Sequence, residues 1–264
     1  MHPITPLSEP THPPHELTVT VFDTVDSTNR VAKEEAAKDT PSLYVARTQT
    51  AGRGRLGRSF HSPAHTGLYM TVAYTTHTPL TEAVGVTAAA AVAAATAIED
   101  MTPKHPAVKW VNDLYLDGKK LGGILTEAVT RPDGSNRMIV GLGINLTTVS
   151  FPEGMSVPAT CLFGKGEAPD DITTFADALA SEIARRLLNR VAGEGGGLYG
   201  EACLRAYRRR LLYVGEEVLS TQGSRQITGT LLGVDDRYGL LLRTAEGDMT
   251  LSSGEISLRP LPRI

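Results

Sequence analysis

Three glycines and three arginines fall within seven consecutive positions, Gly52-Arg53-Gly54-Arg55-Leu56-Gly57-Arg58. They follow a strand-like run at residues 43–48 and precede Pro63. Glycine lets backbone N–H groups approach an anion closely, and arginine adds planar donors that stay charged. The pattern therefore predicts a loop that closes over a phosphate.

Two other interpretations of this loop remain open. Its glycines are spaced as in a dinucleotide-binding fingerprint, Gly52-x-Gly54-x-x-Gly57, but that motif needs a helix beginning at the third glycine. Residues 59–66 contain a proline and have no helical period, which argues against a dinucleotide site. The second interpretation is a solvated basic loop, since charge-rich loops usually lie at the surface.

Polar side chains also end the first strand-like run of the chain. Residues 17–23 alternate in hydrophobicity, and Asp26-Ser27-Thr28-Asn29 lead into the helix-like residues 30–38. All four side chains suit a helix N-terminus, but only one residue can be its cap. The others are left to bind a polar ligand at the start of the helix.

A third group of polar residues ends the strand predicted at residues 107–111. The segment Lys109-Trp110-Val111-Asn112-Asp113 leads into a hairpin, whose Asp117-Gly118 pair is a strong turn signal. Trp110, the single tryptophan, is interpreted as a core residue rather than a stacking platform. The amide and carboxylate that follow it are expected at a strand end.

The hairpin continues with two lysines and two glycines. Lys119 and Lys120 are adjacent, so an extended strand points them to opposite faces, and one of them can enter a site. Gly122 and Gly123 weaken a strand and usually mark the close approach of a ligand or another backbone. The glycine-containing strand predicted at residues 137–146 has the same signature.

The rest of the chain provides the elements that position these segments. A strand is predicted at residues 67–76, and helices are predicted at residues 80–101, 171–190 and 198–212. The first of these helices is rich in alanine, and its longest uncharged run, residues 83–98, is shorter than the roughly 20 residues of a membrane helix. We expect it to be buried against a sheet.

The two ends of the chain differ from its centre. Residues 1–16 are proline-rich and are predicted to be a disordered tail. From Gly215 onward, short alternating runs separated by turn signals extend over about fifty residues and indicate a small all-β barrel. We therefore predict a large domain at residues 17–212 and a small one at residues 213–264.

Composition excludes several classes of function. The 264 residues include 26 Lys and Arg against 29 Asp and Glu, which argues against a nucleic-acid-binding surface over the whole protein. Cys161 and Cys203 have no paired spacing and indicate free thiols in a reducing compartment. His61 and His65 flank Pro63 without a third ligand nearby, which favours a surface pair over a metal site.

Five of these motifs, in this order and with compatible spacing, resemble those of the biotin protein ligases. The motifs are Asp26 to Asn29, Gln49 to Gly57, Lys109 to Asp113, Lys120 to Leu125 and Gly141 to Asn145. Gly254 to Arg259 resembles the end of the family's C-terminal barrel, so the resemblance spans roughly residues 19–259. It implies an α+β fold, in which a mixed-sheet catalytic domain of the biotin/lipoate ligase type precedes a small SH3-like β-barrel.

The resemblance implies a cytoplasmic ligase that works in two steps. The carboxylate of biotin attacks the α-phosphorus of ATP, in the presence of Mg²⁺, to give biotinyl-AMP and pyrophosphate. A lysine of a biotin carboxyl carrier domain then attacks the mixed anhydride and releases AMP. Both reactants of the first step are anions, so catalysis is expected to be positional and electrostatic, with charge from Arg53, Arg55 and Lys120.

The resemblance also implies the roles of individual residues on the biotin side. Arg53, Gly54 and Arg55 resemble the loop over the biotin carboxylate and the phosphate. Lys120 resembles the lysine that bridges the carboxylate and the α-phosphate. The residues that resemble the ureido-binding set and the flat floor under biotin are Ser27, Thr28, Asn29, Gln49, Gly122 and Gly123.

On the nucleotide side the match has two departures. Asn112 and Asn145 resemble groups that meet the nucleotide, and Asp113 either holds the ATP–Mg²⁺ end or orients the incoming lysine. Phe60 stands where relatives often have the tryptophan associated with adenine, so it can stack but is smaller. Val111 stands where many relatives have proline, and we expect little consequence.

Some members of this family carry an N-terminal winged helix that represses transcription. Such a domain needs on the order of sixty residues, and about sixteen precede the first predicted strand here. We therefore expect a ligase without a nucleic-acid or membrane partner, acting as a monomer or homodimer. Two other activities stay open: ligation of lipoate, which a comparison of labelled biotin with lipoate separates, and biotin sensing, which lacks pyrophosphate exchange.

Overall fold

The larger of two sheets is mixed, as predicted, within the residues that the computed structural model describes, which are 17–153, 157–222, 224–252 and 256–260. β1 and β2 are parallel and are joined through α1 (Thr28–Glu34), whereas the other neighbouring strands are antiparallel. In spatial order the strands are β1 (Thr18–Val25), β2 (Ser42–Gln49), β3 (Gly67–Thr76), β7 (Asn136–Asn145), β6 (Lys119–Thr130), β5 (Asp113–Leu116) and β4 (Ala107–Lys109). The tail expected at residues 1–16 lies outside the described residues.

Helices cover both faces of this sheet. α1 packs on one face, where Ala32 joins a small apolar cluster with Tyr44 and Ile139. On the other face, α2 (Ala83–Met101) and α3 (Ile172–Val191) form the main core with the strands. α3 begins at Asp171, whose Oδ1 accepts a hydrogen bond from the Thr174 N–H at 2.9 Å and caps the helix.

The alanine-rich helix is buried, as predicted. Together with the preceding turn it forms the apolar stretch Leu80–Met101, which is long and apolar enough to cross a membrane by length and composition. However, 72% of its most apolar window is buried inside the protein. Alanine side chains such as those of Ala90 and Ala94 are fully buried there, and their small size lets the helix lie close to its neighbours.

The hairpin between β5 and β6 has the predicted turn and one irregularity. Asp117 and Gly118 have φ angles of 50° and 74°, the left-handed values of the tight turn that the Asp-Gly pair indicates. In the pairing of the two strands, Leu114 faces Gly122 and Tyr115 faces Lys120, so Leu121 is the extra residue of a β-bulge. The strand alternation is therefore interrupted between Lys120 and Gly122.

The helix predicted at residues 198–212 is shorter in the structure. α4 spans Glu201–Arg208. Before it, Gly195, Gly196 and Gly197 have φ angles of 61°, 86° and 72°, which an α-helix cannot contain. After it, the Val108 N–H donates to the Arg210 carbonyl at 2.7 Å, so the chain continues along the edge of β4 instead of extending the helix.

The C-terminal strands form a second, antiparallel sheet of SH3-like type, as predicted. Its spatial order is β11 (Gly247–Leu251), β10 (Leu240–Thr244), β9 (Arg225–Val234), β8 (Glu217–Gln222) and β12 (Ile256–Pro260). Leu231, Leu240 and Leu242 are fully buried and form its apolar side. This small sheet is tied to the large one, because the Trp110 indole N–H donates to the Tyr238 carbonyl at 2.8 Å.

Candidate active site

Twelve of the fourteen predicted site residues line a single cavity, which also contacts the central strands β3, β7 and β6 of the large sheet. They come from separate segments of the chain, namely the start of α1, the end of β2, the glycine–arginine loop and the β4–β5–β6 region. These residues are Ser27, Thr28, Asn29, Gln49, Arg53, Gly54, Arg55, Phe60, Asn112, Asp113, Lys120 and Gly123. The fold thus brings together side chains that are up to 96 residues apart, from Ser27 to Gly123.

The other two predicted residues, Gly122 and Asn145, are not in the lining of this cavity. A β-carbon added to Gly122 would collide with the carbonyl of Gly143, so this glycine makes room for β7 rather than for a ligand. Asn145 is buried, and its Nδ2 donates to the Thr160 carbonyl at 3.0 Å. Its amide is therefore used to hold the chain that follows β7.

The bulge in β6 explains why one glycine of the pair faces the cavity and the other does not. With strict alternation Lys120 and Gly122 would share a face, but the extra residue Leu121 brings Lys120 beside Gly123 instead. A β-carbon at Gly123 would lie 3.6 Å from the Nζ of Lys120 and 3.5 Å from Asp113 Oδ1. The absence of a side chain here gives a ligand access to the lysine.

Lys120 is the lysine that enters the cavity. Its Nζ lies 2.7 Å from Asp113 Oδ1, and both side chains are about three-quarters to four-fifths buried, with exposures of 25% and 19%. Lys119 is exposed on the opposite side of the strand, as the alternation predicts. The Nδ2 of Asn112 donates to the same carboxylate oxygen at 3.2 Å, so Asp113 is held by two donors.

The glycine–arginine loop forms a narrow turn over the cavity. Arg53 and Ser59 form an antiparallel bridge, and the Phe60 N–H donates to the Gly52 carbonyl at 2.8 Å. Between them Arg55–Gly57 is a single 3₁₀ turn that ends in extended backbone at Arg58. No helix begins at Gly57, so the dinucleotide interpretation is wrong.

The arginines of this loop differ in their orientation. Arg53 and Arg58 are exposed, whereas Arg55 is half-buried and its Nη1 donates to Asn112 Oδ1 at 2.8 Å. This contact spans the cavity from the loop to the end of β4. The interpretation as a purely solvated loop therefore does not hold for Arg55, which connects the loop to the carboxylate–lysine pair through Asn112.

Polar groups at the start of α1 exceed what the helix itself needs, as predicted. Ser27 is the N-cap residue, but its side chain makes no capping hydrogen bond. The Thr28 N–H donates instead to Gln49 Oε1 at 2.9 Å, so a glutamine from β2 serves the helix N-terminus. Ser27 is 2% exposed and is one of the residues that line the cavity.

Phe60 packs against bare backbone on the far wall of the cavity. Its ring lies edge-on to Tyr69, with 6.4 Å between the ring centroids, and a β-carbon at Gly143 would enter the ring. Burial raises the pKa of Tyr69 to about 12, and its hydroxyl donates to the Pro63 carbonyl at 2.9 Å. The neutral tyrosine thus fixes the segment that carries Phe60.

Several lining residues were not assigned to the site from the sequence, among them Lys109, Ser59 and Leu125. Lys109 adds a second lysine to the wall, and its Nζ lies 5.8 Å from the centre of the Tyr115 ring. The sequence signal that could have identified it is its position two residues before the end of a predicted strand. Among the described residues, no three His, Cys, Asp or Glu side chains form a metal-binding group, and His61 and His65 are exposed.

Comparison with known proteins shows similarity to biotin protein ligases over most of the chain. The family model described as the biotin/lipoate A/B protein ligase family matches residues 21–145, and the model described as the biotin protein ligase C terminal domain matches residues 213–259. A bifunctional ligase/repressor BirA of Bacillus spizizenii is 32% identical over 242 residues, covering 89% of this chain and 72% of that protein.

Two further matches extend over nearly the full length of the relative. A biotin--[acetyl-CoA-carboxylase] ligase of Paracoccus denitrificans is 31% identical over 238 residues, covering 88% of this chain and 96% of that protein. The solved structure of a biotin protein ligase from Aquifex aeolicus, in complex with biotin and ATP, superposes with a TM-score of 0.75 at 29% identity. That match covers 92% of this chain and 99% of the other.

Proposed function

Because the chain belongs to the biotin protein ligases, we propose that it activates biotin as biotinyl-AMP and transfers it to a lysine of a biotin carboxyl carrier domain. The observation that carries this proposal is the cavity in which the Lys120–Asp113 pair faces Arg55 and Asn112 under a glycine–arginine loop. Such a site collects positive charge where two anions must meet.

In the first step a carboxylate oxygen of biotin forms a bond to the α-phosphorus of ATP. The bond from the α-phosphorus to the bridging oxygen breaks, and pyrophosphate leaves. The role of Lys120 is to place its ammonium between the carboxylate and the phosphate, where it offsets their repulsion and fixes their alignment. Arg55 adds a second permanent charge from the loop, with a planar donor group that suits phosphate.

The two substrates have distinct walls in the cavity. Ser27, Thr28 and Gln49 form a polar wall that suits the ureido ring of biotin. Asn112 and Phe60 line the nucleotide side, where the phenylalanine ring can stack on adenine. Mg²⁺ enters with ATP as part of the substrate, and Asp113 is a lining carboxylate of the kind that a phosphate-bound magnesium ion uses.

In the second step the amine of the carrier lysine attacks the carbonyl carbon of biotinyl-AMP. A C–N bond forms, the bond from carbon to the phosphate oxygen breaks, and AMP leaves while the amine loses a proton. Asp113 holds Lys120 before the substrates arrive, and it is the carboxylate placed to orient an incoming ammonium once Lys120 turns to the anions. Residues 17–212 act as the catalytic domain and residues 213–264 as the barrel, in the cytoplasm.

The test is the transfer of labelled biotin to a purified carrier domain in the presence of MgATP. We expect one biotin on one lysine of the carrier, together with release of AMP and pyrophosphate. Labelled lipoate in a parallel reaction separates the related lipoate activity, and omission of ATP separates simple binding. Labelling with lipoate alone, or binding of biotin without pyrophosphate exchange, would contradict the proposal.

The loop over the cavity is predicted to resist protease when the substrates are bound. Its glycines make ordering costly, at roughly 1–2 kcal/mol of backbone entropy per residue, so contacts with the anions must offset that loss. Trypsin cleavage after Arg53 and Arg58, which are exposed, is expected to fall sharply when biotin and ATP are added. Mass spectrometry of the fragments measures this change.

Cleavage after the exposed Arg225, at the start of β9, provides an internal control within the same digestion. It lies in the small sheet and is expected to be cut at the same rate with and without substrates. Equal cleavage of the loop under both conditions would count against a closing loop.

A further inference from the structure

A chain of polar side chains leads from the outer surface of β6 to the wall of the cavity. Glu127 Oε2 accepts a hydrogen bond from Asn29 Nδ2 at 2.9 Å, and Asn29 Oδ1 lies 2.6 Å from the hydroxyl of Thr71. The Thr71 hydroxyl lies 2.8 Å from that of Thr28, which lies 3.1 Å from Gln49 Oε1. Thr28, Asn29 and Thr71 are 3%, 4% and 0% exposed, so the middle of the chain is buried, whereas Glu127 and Gln49 at its ends are half-buried.

Each end of this chain has a fixed direction. The Glu127 carboxylate, whose other oxygen accepts from Lys33 Nζ at 2.6 Å, is an acceptor only. The NH₂ group of Asn29 therefore faces Glu127, with a longer contact of 3.4 Å to the Leu125 carbonyl, and its carbonyl oxygen faces Thr71. At the other end the Thr28 N–H donates to Gln49 at 2.9 Å, so the carbonyl oxygen of Gln49 faces Thr28.

Between the carbonyl oxygens of Asn29 and Gln49 there are fewer hydroxyl hydrogens than oxygen–oxygen contacts. Three oxygen–oxygen contacts join Asn29, Thr71, Thr28 and Gln49, but the two threonines together supply only two hydroxyl hydrogens. With Thr71 donating to Asn29, its shorter contact, Thr28 can donate either to Thr71 or to Gln49; with Thr71 donating to Thr28, the contact with Asn29 has no hydrogen. One contact is therefore always left without a hydrogen, and the cavity wall has one acceptor in excess.

We propose that Glu127 is a positioning residue that sets this excess of acceptors, so that the wall formed by Thr28 and Gln49 accepts a hydrogen bond from an N–H of the ligand. The inference rests on the proposed function, because the ureido ring of biotin carries two such N–H groups. Glu127 does not itself line the cavity, and it acts only through Asn29 and Thr71. The ionic partner Lys33 keeps its carboxylate in place from the surface side.

Replacing the carboxylate by an amide removes the fixed direction. In Glu127→Gln the new NH₂ group can donate to Asn29 Oδ1, which lets Asn29 turn and donate to Thr71 at the loss of its 3.4 Å contact with the Leu125 carbonyl. Thr71 then donates to Thr28, and Thr28 donates to Gln49, so all three contacts are filled. Gln49 Oε1 then accepts from both the N–H and the hydroxyl of Thr28, so this oxygen has no lone pair left for a ligand N–H.

The experiment measures pyrophosphate exchange and calorimetric binding with biotin and with a biotin analogue methylated on one ureido nitrogen. For Glu127→Gln we expect a KM for biotin raised about tenfold, with kcat and the KM for ATP within about twofold of the wild type. The preference for biotin over the methylated analogue should fall about fivefold or more. The methyl group is the same in both proteins, so this change reports the lost hydrogen bond.

Two further variants separate positioning from a general structural effect. Thr71→Val interrupts the chain at similar volume, so adding Glu127→Gln to it should change the affinity for biotin by less than about twofold. Glu34→Gln, an exposed glutamate of α1 paired with Arg30, should leave binding, selectivity and thermal stability unchanged.

The outcomes distinguish this inference from the proposed function. An unchanged KM and unchanged selectivity in Glu127→Gln would overturn the inference, as would an equal loss in the wild-type and Thr71→Val backgrounds. A wild-type protein that neither binds biotin nor exchanges pyrophosphate would overturn the proposed function instead.

Discussion

Lys120→Ala is expected to lower biotin-dependent pyrophosphate exchange by at least about two to three orders of magnitude, the loss typical when a preorganised electrostatic group is removed. The lysine pairs with Asp113 at 2.7 Å in a largely buried position. Its removal takes away the charge between the two anions and leaves the Asp113 carboxylate facing them. Attraction is thereby replaced by repulsion at the reacting atoms.

The fold is expected to persist in this variant. Lys120 lies at the wall of the cavity and outside the apolar core, which is formed there by Leu114, Leu121 and Ile124. Lys119→Ala, which removes the exposed neighbour, is the matched control and should retain near-normal exchange and melting temperature. Near-normal exchange in Lys120→Ala, with Lys119→Ala inactive, would mean that the wrong lysine has been placed in the reaction.

A second large effect is expected for Arg55→Gly, which should release biotinyl-AMP from the enzyme. Arg55 joins the loop to Asn112 at 2.8 Å, so the residue both closes the loop and offers charge to the phosphate of the intermediate. Formation of the intermediate should suffer less, because Lys120 still neutralises the attack. A lost hydrogen bond to a charged group is worth about 1.5–3 kcal/mol, or roughly ten- to a hundredfold in residence time.

The released mixed anhydride acylates exposed lysines of unrelated proteins. The measurement is therefore the biotin label on a bystander protein that lacks a carrier domain, incubated with the variant, biotin and MgATP. Arg58→Gly, which removes an exposed arginine of the same loop, should label the bystander far less. If Arg55→Gly makes pyrophosphate while the bystander stays unlabelled, Arg53 or the glycine backbone holds the intermediate instead.

The order of elements could be predicted from local patterns in the sequence, and most of the cavity-lining residues from the resemblance of its motifs to those of the biotin protein ligases. Alternating and helical periods placed nearly all strands and helices within a few residues, and the Asp117-Gly118 turn matched its φ angles. Runs of polar residues at element ends located the start of α1, the loop and the β4–β5 corner. These features depend on neighbours within a few positions of the chain.

What could not be predicted depends on distant partners. The bulge at Leu121 comes from the pairing of β5 with β6, and without it Gly122 and Gly123 are equivalent. Thr71 and Glu127 meet Asn29 from 42 and 98 residues away, so no spacing in the chain marks them as parts of one network. α4 ended early because residues after it pair with β4, a competition that helical period alone does not contain.

The bond from the Trp110 indole to the Tyr238 carbonyl limits how far this enzyme can be reduced in size. Trp110 is 3% exposed and stands two residues before Asn112, while Tyr238 lies in the turn between β9 and β10 of the small sheet and is fully buried. A version trimmed to the large sheet alone would leave a buried N–H without its acceptor, at a cost of about 1–3 kcal/mol, two residues from Asn112 in the cavity wall. A shortened ligase designed from this protein must therefore keep the small sheet or contain another acceptor for the Trp110 indole N–H.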